Sequence, residues 1–234
     1  MKLFSNKDTV LPFYEGNRIN FVDNNFYDVL PEFFKGDSPS PFRNMGLLYK
    51  DMIEPYVDEI VDCLNDPEKT EVKQTHNGNP VRALLKDKTV VKYIVEYFEN
   101  LFNDKVNEIQ VNRNFVTDVP SYLDVEECNK DNYWISQYWH IDNYLHKNFS
   151  VGIYLNDVED GGGQFEYLNN PEYYFYNSKI GNWKTSRFNL LQPSEDEITK
   201  ILGPRCTTFF FIPNFIHRGT FSRTKQRDFI RLLF

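Results

Sequence analysis

His140 and Asp142, near the middle of the chain, carry metal-binding side chains and are separated by one residue. We predict a strand over residues 133–140. Alternate residues of a strand share a face, so both side chains can reach one ion. A third candidate ligand, His217, follows the apolar run 209–216. Two histidines and one carboxylate form the facial triad of non-haem Fe(II) sites, whose open positions take oxygen and a co-substrate. The pattern predicts a metal centre if the three residues meet.

The last segment of the chain places two arginines in an apolar setting. A strand predicted over residues 227–234 puts Arg227, Phe229, Arg231 and Leu233 on one face. A buried charge is costly unless it is paired. A dicarboxylate ligand would supply the partner, because the planar guanidinium can bind a carboxylate through two hydrogen bonds. The alternative is that this face is exposed at the edge of a sheet.

The predicted secondary structure that must position these residues changes from helix to strand near residue 103. Apolar residues recur at helical spacing over residues 46–66 and 81–103, which predicts two helices. Beyond residue 103 the period is two, and strands are predicted at 109–115, 133–140, 149–155, 163–168, 207–212 and 227–234. The long aromatic segment 169–205 is typical of a binding loop or lid. We predict one domain over 1–234, with a helical N-terminal layer (1–103) packed on a β core (104–234) that carries the metal site.

Composition narrows the classes of function. The chain has 234 residues, a net charge of −8 and a pI of about 5.1, and this acidic balance argues against nucleic acid as a partner. The three cysteines are far apart, which favours a reducing compartment over a disulfide framework. No apolar run approaches the roughly 20 residues that cross a bilayer, and the N-terminus lacks a signal-peptide pattern. We expect a soluble, cytoplasmic protein that does not bind membranes.

Several stretches occur in a specific order between residues 133 and 234. They are residues 138–142 with His140 and Asp142, residues 154–163 ending in three glycines, and residues 203–219 with His217, followed by Arg227. This order and spacing resemble the Fe(II)/2-oxoglutarate-dependent oxygenases, and within them most of all the phytanoyl-CoA dioxygenase-like family. The segment 154–163 is also similar to prolyl-hydroxylase-type oxygenases.

The resemblance implies a double-stranded β-helix, a jelly roll of cupin-like type. Together with the helices predicted from apolar spacing, this gives a mainly β protein with N-terminal α-helices. It implies His140, Asp142 and His217 as Fe(II) ligands. It also implies Arg227, or alternatively Arg231, as the residue that binds the far carboxylate of 2-oxoglutarate, with O2 as the remaining co-substrate. One departure is Gly219, which stands where the family often has a serine or threonine that helps to bind the co-substrate.

We therefore predict a dioxygenase that hydroxylates a small-molecule or side-chain substrate and releases succinate and CO2. Tyr154 in the β core and Trp183 in the aromatic loop are the predicted substrate contacts. Three alternatives remain open. They are a prolyl-hydroxylase-type protein hydroxylase, a metal-dependent hydrolase that holds Zn(II) with the same three ligands, and a non-catalytic jelly-roll binding module.

Overall fold

The computed structural model describes residues 34, 40–119, 135–137, 139–140, 142, 149–169, 193–213 and 215–234. Trp183 and most of the predicted loop 169–205 lie outside these residues. The described strands are β1 Phe42–Gly46, β2 Thr70–His76, β3 Asn79–Leu85, β4 Glu108–Asn114, β5 Ser150–Tyr154, β6 Phe165–Leu168, β7 Ile198–Ile201, β8 Thr208–Phe211, β9 His217–Gly219 and β10 Arg227–Leu233. The described helices are α1 Lys50–Asn65 and α2 Lys92–Phe102.

The strands form two antiparallel sheets. The larger sheet has seven strands in the order β1-β8-β5-β10-β4-β3-β2, and the smaller has three in the order β7-β6-β9. Because β10 lies between β5 and β4, it is an interior strand, with both of its edges hydrogen-bonded to neighbours. The described part of the protein is therefore mainly β, as predicted, and its two antiparallel sheets are consistent with a jelly roll.

Aromatic side chains fill the space between the two sheets. Phe209 and Phe211 on β8 face the small sheet, with ring centroids 4.8 and 4.7 Å from that of Phe165 on β6. Phe210 faces the opposite way, as strand geometry requires, and its ring centroid lies 6.4 Å from that of Phe98 on α2. Both faces of β8 are thus buried, which explains its continuous apolar sequence.

The helix predicted over residues 81–103 is wrong in its first part, because residues 79–85 form β3. In that strand, buried Val81, Ala83 and Leu85 alternate with half-buried Arg82 and Leu84, a period of two rather than 3.6. The predicted helical layer (1–103) therefore also contains three strands of the large sheet. That sheet continues across the predicted boundary at residue 103, and the single domain over 1–234 remains a prediction.

A local signal for the β2–β3 hairpin is present in the sequence. Asn77 and Gly78 join the two strands with φ angles of 49° and 80°. Asn-Gly favours such a two-residue turn because both positions need a left-handed backbone. The turn was foreseeable, and with it the strands on either side.

The other strand predictions divide into two groups. Those at 109–115, 149–155, 163–168, 207–212 and 227–234 agree with β4, β5, β6, β8 and β10. The strand predicted at 133–140 is wrong at residues 135–137, because Ile135–Gln137 form a 3₁₀ turn. In that segment only His140, among the described residues, pairs with another strand.

None of the helices in the described ranges combines the length and the apolar character needed to span a bilayer.

Candidate metal centre

The two histidines of the predicted site are brought together by their own backbones. The amide of His140 donates to the carbonyl of His217 at 3.0 Å, and the amide of His217 donates to the carbonyl of His140 at 2.9 Å. This bridge lies at the end of the small sheet, where β9 pairs with β6. Both side chains are buried, and their ring centroids are 4.3 Å apart.

Asp142 completes the cluster from the same side. Its amide donates to the carbonyl of Pro213 at 2.7 Å, which holds the chain beside the apolar run that leads to His217. One carboxylate oxygen lies 3.6 Å from Nε2 of His140 and the other 3.7 Å from Nε2 of His217. A ligand atom from each of the three residues lies within 4.8 Å of the others. The structure thus brings together all three residues predicted as ligands.

The surroundings of His217 suit a metal ligand. Its Nδ1 lies 2.8 Å from the carbonyl of Phe215, and since a carbonyl can only accept, Nδ1 carries the proton. Nε2 is then the ring nitrogen that faces Asp142 and is available to bind a metal, and such an outer hydrogen bond is the usual way to orient a histidine ligand. The rings of Phe165 and Phe211 pack on the imidazole at 5.4 and 5.2 Å. These contacts shield it from water.

The donor set fits a divalent transition metal. Two imidazoles and one carboxylate on one side leave room for further ligands, which matches the geometry of Fe(II) sites and is also compatible with Zn(II). The two histidine side chains are 5% and 4% exposed, whereas that of Asp142 is 15% exposed. The cluster is therefore more open at the aspartate.

Arg231 lies against the three candidate metal ligands. Its Nη2 donates to a carboxylate oxygen of Asp142 at 2.8 Å, and its Nε donates to the hydroxyl of Ser150 at 3.1 Å. The guanidinium is thus tied both to a candidate ligand and to β5. It fixes the orientation of the carboxylate that faces the two histidines.

Arg227 is the more deeply buried of the two arginines, and the alternative of an exposed sheet edge is wrong because β10 is an interior strand. Its Nη1 donates to the carbonyl of Gly163. With the amide oxygen of Asn114 turned toward it, Nε donates to that oxygen at 3.0 Å. Burial lowers the pKa of the guanidinium, while Tyr154 and Asp228 act in the opposite direction. A bound carboxylate would replace the hydration that burial removes.

Gly219 leaves room beside Arg227. A Cβ atom at position 219 would lie 3.1 and 3.2 Å from the two terminal guanidinium nitrogens. The serine or threonine expected at this position from the resemblance would crowd the guanidinium in its present position. With glycine at position 219, the guanidinium of Arg227 and a ligand bound to it can occupy the space beside the backbone.

Tyr154 is completely buried, and its hydroxyl joins the two sheets. It donates to the carbonyl of Ile201 at 2.9 Å and accepts from the amide of Phe165 at 2.8 Å. Burial raises its pKa to about 12, so the hydroxyl keeps its proton. These contacts stabilise the sandwich, and the substrate contact predicted for this residue stays a prediction, as does that of Trp183.

A third arginine that was not predicted from the sequence, Arg82, interacts electrostatically with Asp142. Arg82 on β3 donates from Nη2 to the side chain of Gln110 at 3.1 Å, and Gln110 lies opposite Arg231 in the β4–β10 register. The alternation of β3 and the Asn-Gly turn before it would have identified this strand. They would not have shown that it lies next to β4.

No protein-family model matches the chain, and no curated protein matches it. Several solved structures are similar. The non-haem α-ketoglutarate-dependent epimerase SnoN from nogalamycin biosynthesis is 13% identical, with 82% of this chain and 76% of that chain covered and a TM-score of 0.48. HygX from Streptomyces hygroscopicus, with nickel and 2-oxoglutarate bound, is 12% identical, with 83% and 82% covered and a TM-score of 0.49.

EctD from S. alaskensis with bound Fe is 13% identical, with 94% of this chain and 78% of that chain covered and a TM-score of 0.47. At these identities and TM-scores, the likenesses carry no weight for the chemistry of this chain. Its chemistry follows from the geometry of its own residues.

Proposed function

We propose that this protein is an Fe(II)- and 2-oxoglutarate-dependent dioxygenase. The observation that carries the proposal is the cluster of His140, Asp142 and His217, whose ligand atoms lie within 4.8 Å of one another. These residues would hold Fe(II) through two imidazole nitrogens and one carboxylate. The bound ion, with 2-oxoglutarate and O2, supplies the oxidation, in which one oxygen atom enters succinate as CO2 is released and the other enters the substrate.

Arg227 is the residue that we assign to the far carboxylate of 2-oxoglutarate. It is buried on the inner face of β10, and its hydrogen-bond partners among the described residues, Gly163 and Asn114, are both neutral. A dicarboxylate reaching inward from the metal would bring the charge that this guanidinium needs. Arg231 is the weaker candidate, because it already lies 2.8 Å from Asp142. It acts as a positioning residue for that ligand.

The aromatic wall of the site excludes water from the reacting groups. Phe165 and Phe211 pack on His217, and Phe229 lies between Arg227 and Arg231 on the same face of β10. In a dry site, the charges that orient the co-substrate act more strongly than they would in water. The protein therefore supplies binding, orientation and protection, while the oxidation belongs to the cofactor.

The finer assignments are part of the same proposal. They are hydroxylation as the reaction, closure of the two sheets into a double-stranded β-helix, and membership of the phytanoyl-CoA dioxygenase-like family rather than the prolyl-hydroxylase type. A Zn(II) hydrolase would use the three ligands and leave buried Arg227 without a role. A binding module would need neither feature.

The test is spectroscopic and needs no substrate. Metal-free protein is mixed anaerobically with Fe(II) and then with 2-oxoglutarate, and the visible metal-to-ligand charge-transfer band is recorded. We expect a band in the wild type, its loss in His217→Ala, and a much higher 2-oxoglutarate concentration for half-saturation in Arg227→Gln. The matched controls are His76→Ala, in the β2–β3 hairpin, and Arg223→Gln, an exposed arginine. Both should behave as the wild type.

A folded, iron-loaded wild type that gives no band at saturating 2-oxoglutarate would refute the proposal. An unchanged titration in Arg227→Gln would reassign the co-substrate to another residue, with Arg231 the first to test.

A further inference from the structure

The inner face of the large sheet carries more positive charge than one co-substrate requires. Arg82, Arg227 and Arg231 come from two strands of this sheet and lie close enough that Arg227 and Arg231 both lower the pKa of Arg82. Burial is the larger cause, and together they bring that pKa to about 10, so Arg82 is still charged at neutral pH. Among the described residues, Asp142 and Glu108 are the anions that raise this pKa.

A series of neighbouring side chains connects Arg82 to the three candidate metal ligands. Arg231 donates to Asp142 at 2.8 Å. Gln110 lies opposite Arg231 on the neighbouring strand β4 and accepts a hydrogen bond from Arg82 at 3.1 Å. Arg82 and Asp142 interact electrostatically. The three arginines therefore form one wall that begins at the candidate metal ligand.

Arg82 is the least satisfied member of that wall. Its one hydrogen-bond acceptor among the described residues is the neutral side chain of Gln110. Its Nε is buried and has no acceptor within the part of the chain that the structure describes. No carboxylate in the described ranges forms a salt bridge with it, whereas the buried Arg113 has Asp228 at 2.7 Å. If Arg82 only linked β3 to β4, a neutral side chain would do so without the free-energy cost of burying a charge.

Among the described residues, the loaded site would carry one more positive than negative charge. Three arginines and a divalent ion carry five positive charges, and Asp142, Glu108 and the two carboxylates of 2-oxoglutarate carry four negative charges. Arg227 takes the far carboxylate and Arg231 holds Asp142, so Arg82 is left with the electrostatic influence of Glu108, which forms no salt bridge with it among the described residues. Charge left unpaired in a poorly hydrated site is unfavourable, and a further anion would remove that cost.

We propose that Arg82 binds an anionic group, a carboxylate or a phosphate, on the substrate that this site oxidises. The inference rests on the proposed function, and it deepens it by naming the substrate class: an organic anion. The buried Nε and the terminal nitrogens form the fork that such a group matches through two hydrogen bonds. Because Arg82 and Asp142 interact electrostatically, an anion bound at Arg82 would lie on the same face of the sheet as the arginine that holds the candidate ligand.

The test titrates small anions into the loaded protein. The complete chain with Fe(II) and saturating 2-oxoglutarate is kept anaerobic, and acetate or methylphosphonate is added at constant ionic strength while the charge-transfer band is followed. We expect one of the two anions to perturb the band of the wild type saturably. The anion with the lower half-saturation concentration identifies the carboxylate or the phosphate class.

Arg82→Gln should weaken binding of that anion about tenfold, as expected for the loss of a charge-assisted contact. Its affinity for 2-oxoglutarate should change much less. Arg82→Lys keeps the charge but not the fork, so it should fall between Arg82→Gln and the wild type; it also serves as the test if Arg82→Gln does not fold. The control is Lys73→Gln, which removes one exposed positive charge from the neighbouring strand β2 and should match the wild type.

Equal anion affinity in the wild type and Arg82→Gln overturns the inference, and so does a band that neither anion perturbs. An equal loss of anion and 2-oxoglutarate affinity also overturns it, because that pattern indicates general damage to the site. These outcomes all require a wild-type band. A missing band instead refutes the proposed function itself.

Discussion

Gly219 shows how much depends on a single missing side chain. The guanidinium of Arg227 lies where a β-carbon on residue 219 would come within 3.1 Å of it. The arginine has little freedom to retreat, because it is buried and bonded to Gly163 and Asn114. Binding of the co-substrate at Arg227 therefore depends both on the lack of a side chain at position 219 and on the charge of the arginine.

Gly219→Ala should weaken 2-oxoglutarate binding about tenfold, since overpacking of a buried site costs about 1–3 kcal/mol. The measurement is an anaerobic titration of the Fe(II) protein followed by the charge-transfer band. Thr220→Ser, which keeps the hydroxyl that lies 3.2 Å from the carbonyl of Gln164, is the neighbouring control and should titrate normally. Normal affinity in Gly219→Ala would mean that the carboxylate does not bind at Arg227.

At the scale of the element, β10 carries different charged residues on the two faces of the large sheet. Arg227 and Arg231 point toward the space between the sheets, while Asp228 points the other way. Asp228 accepts two hydrogen bonds of 2.7 Å from Arg113, which also donates to the carbonyl of Leu64 at the end of α1. This buried ion pair fixes the strand against the helix and so fixes the positions of the arginines on the inner face.

Asp228→Ala should destabilise the protein by about 3–5 kcal/mol, because it leaves the charge of Arg113 buried without its partner. Urea denaturation measures this loss. The control is Glu159→Ala, which removes an exposed ion pair with Lys225 and should cost about 0–1 kcal/mol. If the two variants unfold at the same urea concentration, the buried pair does not hold β10 in place.

At the scale of the whole molecule, the site depends on pairings between distant parts of the chain. His140 and His217 meet through a backbone bridge, and β3 places Arg82 beside β4, which pairs in turn with β10 near the other end of the chain. The large sheet begins with β1 and ends with β2, with strands from the C-terminal half between them. A ligand that joins residues so far apart should stabilise the whole fold.

Metal and 2-oxoglutarate together should raise the melting temperature of the wild type. At about 100 times the dissociation constant, ligand binding adds about 2.7 kcal/mol. In a protein of this size that corresponds to about 5–10 °C. Differential scanning calorimetry with Mn(II) as a stable substitute for Fe(II) would measure the shift. His217→Ala should show almost none and His76→Ala the full shift, and a full shift in His217→Ala would place metal binding elsewhere.

The sequence by itself determined what depends on local chemistry. The spacing of His140 and Asp142, the position of His217 and the alternation along residues 227–234 identified the residues of the cluster and a strand with two arginines on one face. Such patterns can be read because residue type and period are local properties. The Asn-Gly turn at 77–78 was equally local. As a hairpin turn it favours strands on both sides, against the helix predicted from residue 81.

Only the tertiary structure showed which residues that are far apart in the sequence lie close together in space. Three results required it: the bridge that joins the two histidines, the contact of Arg231 with Asp142, and the place of Arg82 beside the wall. Each depends on which strands are neighbours, and strand order is set by packing of the whole chain rather than by any segment. For the same reason Arg227 is now known to be buried in an interior strand. The sequence left an edge open as the alternative, because alternation fixes a face and does not show which strands neighbour it.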